Sequence, residues 1–202
     1  VLAMVRSRIA VGLFLLLVAV MQVLRWAPWP SQNPDGGEPL TVFLANVLSS
    51  NADHQAVLAL IATEDPDVIG LVEVNNAWLA DFGALRSKYP YHLEHPRKDN
   101  FGIALYSRIP LKNLRVEWIG HRLVPSVCAE LPQGVALTLT HPVPPVSGEY
   151  SRYRNTQLMD LEARMSGDRW IVFGDLNTTP WSAWFPQVPV RGALPWATFP
   201  GW

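Results

Sequence analysis

The chain has 202 residues, of which 49% are hydrophobic and 16% are charged, and its formal net charge is −1. This balance excludes an intrinsically disordered protein, which combines low hydrophobicity with high net charge. The single cysteine, Cys128, excludes an internal disulfide and a zinc site built from several cysteines. We therefore expect a folded body, by default one domain, that has no disulfide partner.

An uncharged apolar segment, residues 9–24, follows two arginines near the amino end and is closed by Arg25. A helix that crosses a bilayer usually needs about 17–25 residues, so this segment is close to the lower limit. A cleaved signal peptide is the alternative, although no cleavage site of small residues follows the segment. The sequence predicts an N-terminal transmembrane helix and membrane anchor at residues 1–25, with the lipid bilayer as a partner.

The position of the arginines also predicts an orientation. Two of them precede the apolar segment and one follows it, which favours an amino end in the cytoplasm. Residues 26–39 contain proline, glycine and polar side chains, as in a short tether. The body, residues 40–202, is therefore expected at the cell membrane, outside the cytoplasm. Further spans upstream of Val1 would make the protein multi-pass, and an odd number of them would reverse this orientation.

Strand and helix patterns alternate in the first part of the body. Apolar runs predict strands at residues 40–47 and 68–74. Residues 53–63 have the apolar spacing of a helix, with Asp53 as its N-cap, and residues 78–85 show a less regular helical pattern. The second part predicts four strands and one helix, namely strands 103–107, 126–131, 135–140 and 170–173 and a helix from about residue 154 to 165. Mixed α/β layers with outer helices are the expected architecture.

Most of the predicted strands end at a polar side chain: Asn46, Glu73, Ser107 with Arg108, His141, and Asp175 with Asn177. In sheets of this kind, side chains at the carboxyl ends of strands converge on a crevice where ligands bind. Two carboxylates and an amide oxygen suit a hard cation such as Mg²⁺ or Mn²⁺. This pattern predicts a metal site, and chemistry at phosphorus is its natural use.

Five segments follow one another at these strand ends: LANV (44–47), DVIGLVEV (67–74), GIALYSRIPL (102–111), THPVPP (140–145) and GDLNTTP (174–180). In this order they resemble the endonuclease/exonuclease/phosphatase superfamily. The RYRNTQL and PWSAW segments are similar to its membrane-anchored bacterial members. The resemblance implies two packed mixed β-sheets flanked by helices, a four-layer sandwich, with residues 40–202 as the catalytic domain.

The same resemblance implies roles for individual residues. Glu73 would be the principal metal ligand, with Asn46 beside it. Asp175 would orient or activate the attacking water. Asn177 would hold a phosphate oxygen, and His141 would hydrogen-bond the phosphoryl group.

Three further residues have weaker signals. Asn100 precedes the GIALYSR segment and is a further candidate for substrate binding. Arg152 and Arg154 are placed to meet a phosphate, but a solvated helix start is the favoured interpretation.

The end of the chain departs from the family pattern, which continues with a strand that carries an Asp and then a Ser-Asp-His motif. Here no acidic residue follows Asp175 and no histidine follows His141. We therefore expect residues 1–202 to be a fragment whose second half is incomplete, with weak or absent catalysis if the chain acts alone.

The sequence thus predicts a metal-dependent phosphoesterase that cleaves a phosphodiester or phosphomonoester by in-line attack of water. The alternative is a non-catalytic, membrane-anchored binding domain with a degraded phosphoesterase site. Nucleic acid, a phospholipid headgroup and a small phosphodiester all remain open as substrates. Residues 41–202 carry 13 basic and 15 acidic side chains, which weighs against binding to duplex DNA.

Overall fold

The computed structural model describes residues 2–26, 40–120, 124–164, 169–179 and 182. The chain divides into two compact units, of which one comprises Val1–Gly37 with Arg191–Trp202 and the other comprises Glu38–Val190. In the first unit, helix α1 spans Leu2–Trp26.

Within the described parts of the chain, α1 included, no helix combines the length and the apolar character that a membrane span needs. The structure therefore does not support the predicted membrane anchor at residues 1–25. Most of the predicted tether, residues 27–39, lies outside the described residues, and the cellular location stays a prediction.

The described residues of the second unit form eight strands and four α-helices. In chain order these are β1 (Val42–Asn46), α2 (His54–Glu64), β2 (Val68–Val72), α3 (Asn76–Phe82), α4 (Leu85–Lys88), β3 (Tyr91–His95), β4 (Ile103–Ser107), β5 (Lys112–Glu117), β6 (Ser126–Leu131), β7 (Val135–Thr140), α5 (Gly148–Arg164) and β8 (Trp170–Phe173). A short 3₁₀ turn, Pro132–Gly134, joins β6 to β7. Every strand that the sequence predicts is therefore present.

The strands form two four-stranded sheets, in the orders β1-β2-β4-β3 and β5-β6-β7-β8. Each sheet is mixed, because β1 is parallel to β2 and β7 is parallel to β8, whereas the other neighbouring pairs are antiparallel. Two mixed sheets flanked by helices were expected, and the structure confirms them.

Three apolar clusters show how these elements pack. Val72 and Leu139 belong to a cluster that fills the space between the two sheets. Ile61 of α2 and Trp78 of α3 pack on the outer face of the first sheet. Leu158 of α5 belongs to a third cluster, on the outer face of the second sheet. The sheets therefore lie face to face with helices outside them, as expected from apolar faces that must be buried on both sides.

The structure adds two strands that the sequence analysis missed, β3 and β5. Both are edge strands, and their side chains are exposed or only half-buried. An edge strand can carry polar residues on both faces, so these segments lack the apolar run that predicts a buried strand.

Helix boundaries follow local capping. Asp53 caps α2, as predicted, through a hydrogen bond from Ala56 N to its Oδ1 at 3.1 Å. Helix α5 begins at Gly148, six residues before the predicted start at 154. Its first turn is held by Ser147, whose Oγ accepts from Tyr150 N at 3.1 Å. A serine cap outweighs the low hydropathy of the first turn, which the apolar periodicity could not detect.

Asp67 ties together the end of the first sheet that is remote from Asn46 and Glu73. It accepts hydrogen bonds from Thr41 N and Thr41 Oγ1, both at 2.7 Å, and from Arg108 Nε at 2.9 Å. The bonds from Thr41, and then Arg108, lower the pKa of the Asp67 carboxyl below its ordinary value. Its stabilising contribution is therefore present above the unfolded pKa of about 3.9 and is lost as pH falls through the lowered pKa.

We expect Asp67→Asn to lower the melting temperature by about 3 °C at pH 7. The difference from wild type should shrink as pH falls from about 4 through the lowered pKa of Asp67, because the wild-type carboxylate then takes up a proton and loses its charge. Thermal unfolding followed by circular dichroism between pH 7 and pH 3 measures this, with Glu64→Gln on the exposed face of α2 as the control. A difference that stays constant over this range would contradict the assignment.

Candidate active site

Four polar side chains meet where strands of the two sheets end. Asn46 is the last residue of β1, Glu73 follows β2, His141 follows β7, and Asp175 lies two residues after β8. Within each sheet the two strands concerned are parallel neighbours, so their carboxyl ends lie at the same edge. Face-to-face packing of the sheets then brings the two edges together.

Ser107 and Arg108 do not join this group, although they too end a strand. Strand β4 is antiparallel to β2, so its carboxyl end lies at the opposite edge of the sheet. There Arg108 forms ion pairs with Asp65 and Asp67. The amino end of β4 points toward the site instead, which brings in the preceding residues Asn100 and Phe101.

Asn46 joins the two carboxylates. Its Nδ2 donates to Glu73 Oε1 at 2.7 Å and to Asp175 Oδ2 at 3.1 Å. Its Oδ1 accepts from Leu48 N at 3.1 Å, which holds the amide in this orientation. Glu73 and Asp175 come from different sheets and were predicted to converge. Their carboxylates lie close together, because both accept a hydrogen bond from the Asn46 side-chain amide.

Glu73 is the most constrained member of the group. Its backbone has φ of 65°, in the left-handed region that side chains other than glycine and asparagine rarely adopt. The residue is only 9% exposed, and its Oε2 is buried without a hydrogen-bond partner. Burial of a carboxylate oxygen without a partner costs free energy, and a bound cation would offset this cost.

His141 lies beside Asp175 and packs against the ring of Phe101. Its Nε2 lies 3.8 Å from Asp175 Oδ2, and its ring centroid is 5.6 Å from that of Phe101. Burial lowers the pKa of His141 below its ordinary value, although the negative charges of Asp175 and Glu73 oppose this effect. At neutral pH the ring is therefore mainly the neutral imidazole, with one N–H donor and one acceptor nitrogen.

The turn after β8 has a backbone that few residues allow. Gly174 has φ of 146°, and a Cβ at this position would lie 1.8 Å from Thr140 O. Three residues later, Asn177 N donates to Asp175 Oδ1 at 3.1 Å, and Asn177 Nδ2 donates to Pro142 O at 2.8 Å. These bonds fix the Asp175 carboxylate and join the turn to the segment that follows His141. A phosphate oxygen would use the second N–H of the Asn177 amide.

Arg154 reaches this turn from α5. Its Nη1 donates to Asn177 O, and its Nε donates to Asn155 Oδ1 at 2.9 Å. The residue is 7% exposed, so the interpretation as part of a solvated helix start is wrong for Arg154, whereas Arg152 is exposed as expected. The reason is the early start of α5, which places Arg154 in the second turn of the helix. The RYRNTQL segment was the sequence signal for this residue.

The group opens into a cavity of about 480 Å³. Its lining consists of Glu73, Asp99, Asn100, Phe101, His141, Pro144, Tyr150, Asp175 and Asn177. Asn100 was a predicted candidate and lies in this wall, where Ser49 Oγ hydrogen-bonds its Oδ1. Phe101, Pro144 and Tyr150 form an apolar part of the wall that the sequence analysis missed. Three of the described lining residues are acidic and none is lysine or arginine.

The donor set fits a hard divalent cation. No three His, Cys, Asp or Glu side chains within the described ranges lie close enough to form a metal site by themselves. Mg²⁺, however, usually keeps several waters and binds through only one or two carboxylates. The partnerless Oε2 of Glu73 and the nearby Asp175 carboxylate are oxygen groups of this kind. Asn46 turns its Nδ2 toward both carboxylates and holds them together. Because no thiolate lies among these groups, a soft metal is not favoured.

Comparison with known proteins agrees with this fold. Residues 43–202 match the model of the endonuclease/exonuclease/phosphatase family, and the chain belongs to this family. Enzymes of the family hydrolyse phosphate esters and generally use divalent metal ions. No curated protein sequence shows a significant match.

Several solved structures share the fold. Humanized D. rerio TDP2 with 14 mutations has 18% identity and a TM-score of 0.60, over 76% of this chain and 68% of that one. Sphingomyelinase C from Streptomyces griseocarneus has 19% identity and a TM-score of 0.56, over 75% and 69% of the two chains. The human nocturnin catalytic domain, with bound sulfate, has 20% identity and a TM-score of 0.55, over 74% and 68%. The chain spans only 48% of TDP2 from C. elegans.

Proposed function

We propose that this chain is a divalent-metal-dependent phosphoesterase that hydrolyses a phosphodiester or a phosphomonoester. The observation that carries the proposal is the buried Glu73 carboxylate, whose Oε2 has no hydrogen-bond partner and whose Oε1 is joined through Asn46 to Asp175. A site of this kind is completed by a divalent cation, and the cavity beside it has room for a phosphate ester.

In this proposal, Glu73 would be the principal ligand of Mg²⁺ or Mn²⁺, with Asn46 beside it holding the Glu73 and Asp175 carboxylates. When bound, the ion supplies Lewis-acid neutralisation of the phosphoryl charge. Asp175 orients the attacking water and accepts its proton. The water oxygen forms a bond to phosphorus while the bond from phosphorus to the ester oxygen breaks, and the leaving alkoxide takes a proton from solvent. His141 and the free N–H of Asn177 donate to the phosphoryl oxygens, where negative charge grows.

The charge of the wall supports a small substrate over duplex DNA. The described lining contains three carboxylates and no lysine or arginine. Arg97 pairs with Asp99 at 2.6 Å, so Glu73 and Asp175 are the carboxylates that repel a phosphate, and its binding depends on the cation. Duplex DNA binding relies on clustered basic side chains that displace counterions. TDP2, sphingomyelinase C and nocturnin are similar in fold only, and the proposed substrate rests on the charges of this chain. We propose a small phosphodiester or a phospholipid headgroup.

Hydrolysis of bis(p-nitrophenyl) phosphate by the purified full chain tests the proposal. We expect turnover with Mg²⁺ or Mn²⁺ to fall by about 100-fold or more in EDTA, because neutralisation of the phosphoryl charge is lost. Added metal should restore the rate. Activity that persists unchanged in EDTA would refute metal dependence. Metal binding without hydrolysis of this diester or of p-nitrophenyl phosphate would favour the alternative, a non-catalytic binding domain.

A further inference from the structure

Helix α5 directs three side chains toward the candidate site. Tyr150 lines the cavity, and Arg154 donates to Asn177 O. Gln157 Nε2 donates to Thr140 Oγ1, directly before His141, at 3.0 Å. The spacings of four and three residues place these side chains on one face of the helix. One helix face thus contacts both of the second-sheet segments that carry the polar site residues.

Arg154 is the member of this face that is linked to the Asp175 carboxylate. The carbonyl that it binds belongs to Asn177, and the N–H of the same residue, on the preceding peptide group, donates to Asp175 Oδ1 at 3.1 Å. The other oxygen, Oδ2, accepts from Asn46, which also binds Glu73. Hydrogen bonds and the backbone of Asn177 therefore link α5 to the predicted metal ligand. A shift of the Asn177 backbone would turn the Asp175 carboxylate.

The buried position of Arg154 has an energetic cost. Burial of a guanidinium is costly, and it lowers the pKa of Arg154 below its ordinary value. Asn177 has φ of 49°, in the left-handed region, which asparagine adopts more readily than most residues. The planar guanidinium presents its donors in a rigid fork, so it can hold the Asn177 carbonyl in one position more firmly than a flexible ammonium.

We propose that Arg154 is a positioning residue of the hydrolytic reaction, which holds the Asn177 carbonyl and thereby aims the Asp175 carboxylate at the attacking water. Arg154 acts through the turn and does not itself contact the substrate. The inference rests on the proposed function, because it assigns Arg154 to the same site.

The test compares Arg154→Met, which keeps the aliphatic stem and removes every donor, with Arg154→Lys, which keeps one charged donor group. Arg152→Met, at an exposed position of the same helix, is the matched control. We expect Arg154→Met to lower kcat for bis(p-nitrophenyl) phosphate by about 10- to 100-fold with KM changed less than about threefold, since misplacement of a catalytic group mainly affects turnover. Arg154→Lys should recover part of the loss, and Arg152→Met should match wild type.

Hydrogen–deuterium exchange supplies a readout that does not depend on activity. In Arg154→Met we expect faster exchange in residues 174–179, while the strands of both sheets keep their protection. Wild-type kcat and wild-type exchange in a folded Arg154→Met would overturn the inference. Failure of Arg154→Met to fold would also overturn it, because Arg154 would then serve the fold itself. If wild type shows no hydrolysis, the proposed function fails, and the exchange of residues 174–179 still decides whether Arg154 positions the turn.

Discussion

Glu73→Gln is expected to lower metal-dependent hydrolysis by about 10³-fold or more. Glutamine has nearly the shape of glutamate and can still accept the hydrogen bond from Asn46 through its carbonyl oxygen. It replaces the buried, partnerless Oε2 with an uncharged NH₂ group that cannot bind a cation. The loss should therefore come from metal binding, with the fold retained. Steady-state kinetics with Mg²⁺ varied over a wide range measures this effect.

Thermal unfolding separates this explanation from simple damage to the fold. A ligand that binds only the folded state raises the melting temperature, so Mg²⁺ should stabilise wild type and leave Glu73→Gln unchanged. In EDTA the variant should be at least as stable as wild type, because an uncharged amide costs less to bury than a carboxylate without a cation. Glu64→Gln, at an exposed position of α2, is the matched control. An undiminished response of Glu73→Gln to Mg²⁺ would rule out Glu73 as the principal ligand.

Asp175→Asn should lower kcat by about 10²-fold or more, with a smaller change in KM. Both carboxylate oxygens of Asp175 accept hydrogen bonds, from Asn177 N and from Asn46 Nδ2. An asparagine must turn its NH₂ group toward one of these donors, which breaks that bond and removes the group that takes the proton of the attacking water. Kinetics with bis(p-nitrophenyl) phosphate at saturating Mg²⁺ measures the loss, with Asp160→Asn on α5 as the control.

The two substitutions should differ in their response to metal. In the proposed mechanism Glu73 is the principal metal ligand, and Asp175 orients the attacking water. Asp175→Asn should therefore retain most of the rise in melting temperature that Mg²⁺ causes, whereas Glu73→Gln should lose it. Equal loss of this rise in both variants would mean that Asp175 is a metal ligand of the same rank. Wild-type kcat in Asp175→Asn would remove Asp175 from the reaction.

The buried strands could be predicted because burial leaves a strong local signal. Strands β2 and β4 are buried along their whole length, and both appear in the sequence as uninterrupted apolar runs. The edge strands β3 and β5 carry polar side chains and were missed. The apolar run at residues 9–24 was equally clear as a pattern, but the structure does not support the membrane anchor that was predicted from it.

The candidate site was predictable to the extent that its residues end apolar strands. Glu73 interrupts an apolar run, where a carboxylate needs a partner, and Asp175 and Asn177 lie in the short GDLN segment after β8. Arg154 does not end a strand, and its signal was only the resemblance of the RYRNTQL segment. Its surroundings depend on which face of α5 packs inward, and this follows from contacts with other parts of the chain.

The order of apolar strands, the caps of its helices and the types of polar residue at the strand ends are written in the amino-acid sequence, because each depends on neighbours a few positions away. Tertiary structure alone decided which strand ends share an edge, since the antiparallel direction of β4 carries Ser107 and Arg108 away from the site. It also placed Asn46 between carboxylates 27 and 129 residues distant. The contact with Glu73 needs β1 to pair with β2, and the contact with Asp175 needs the two sheets to pack together, so no local pattern records either of them.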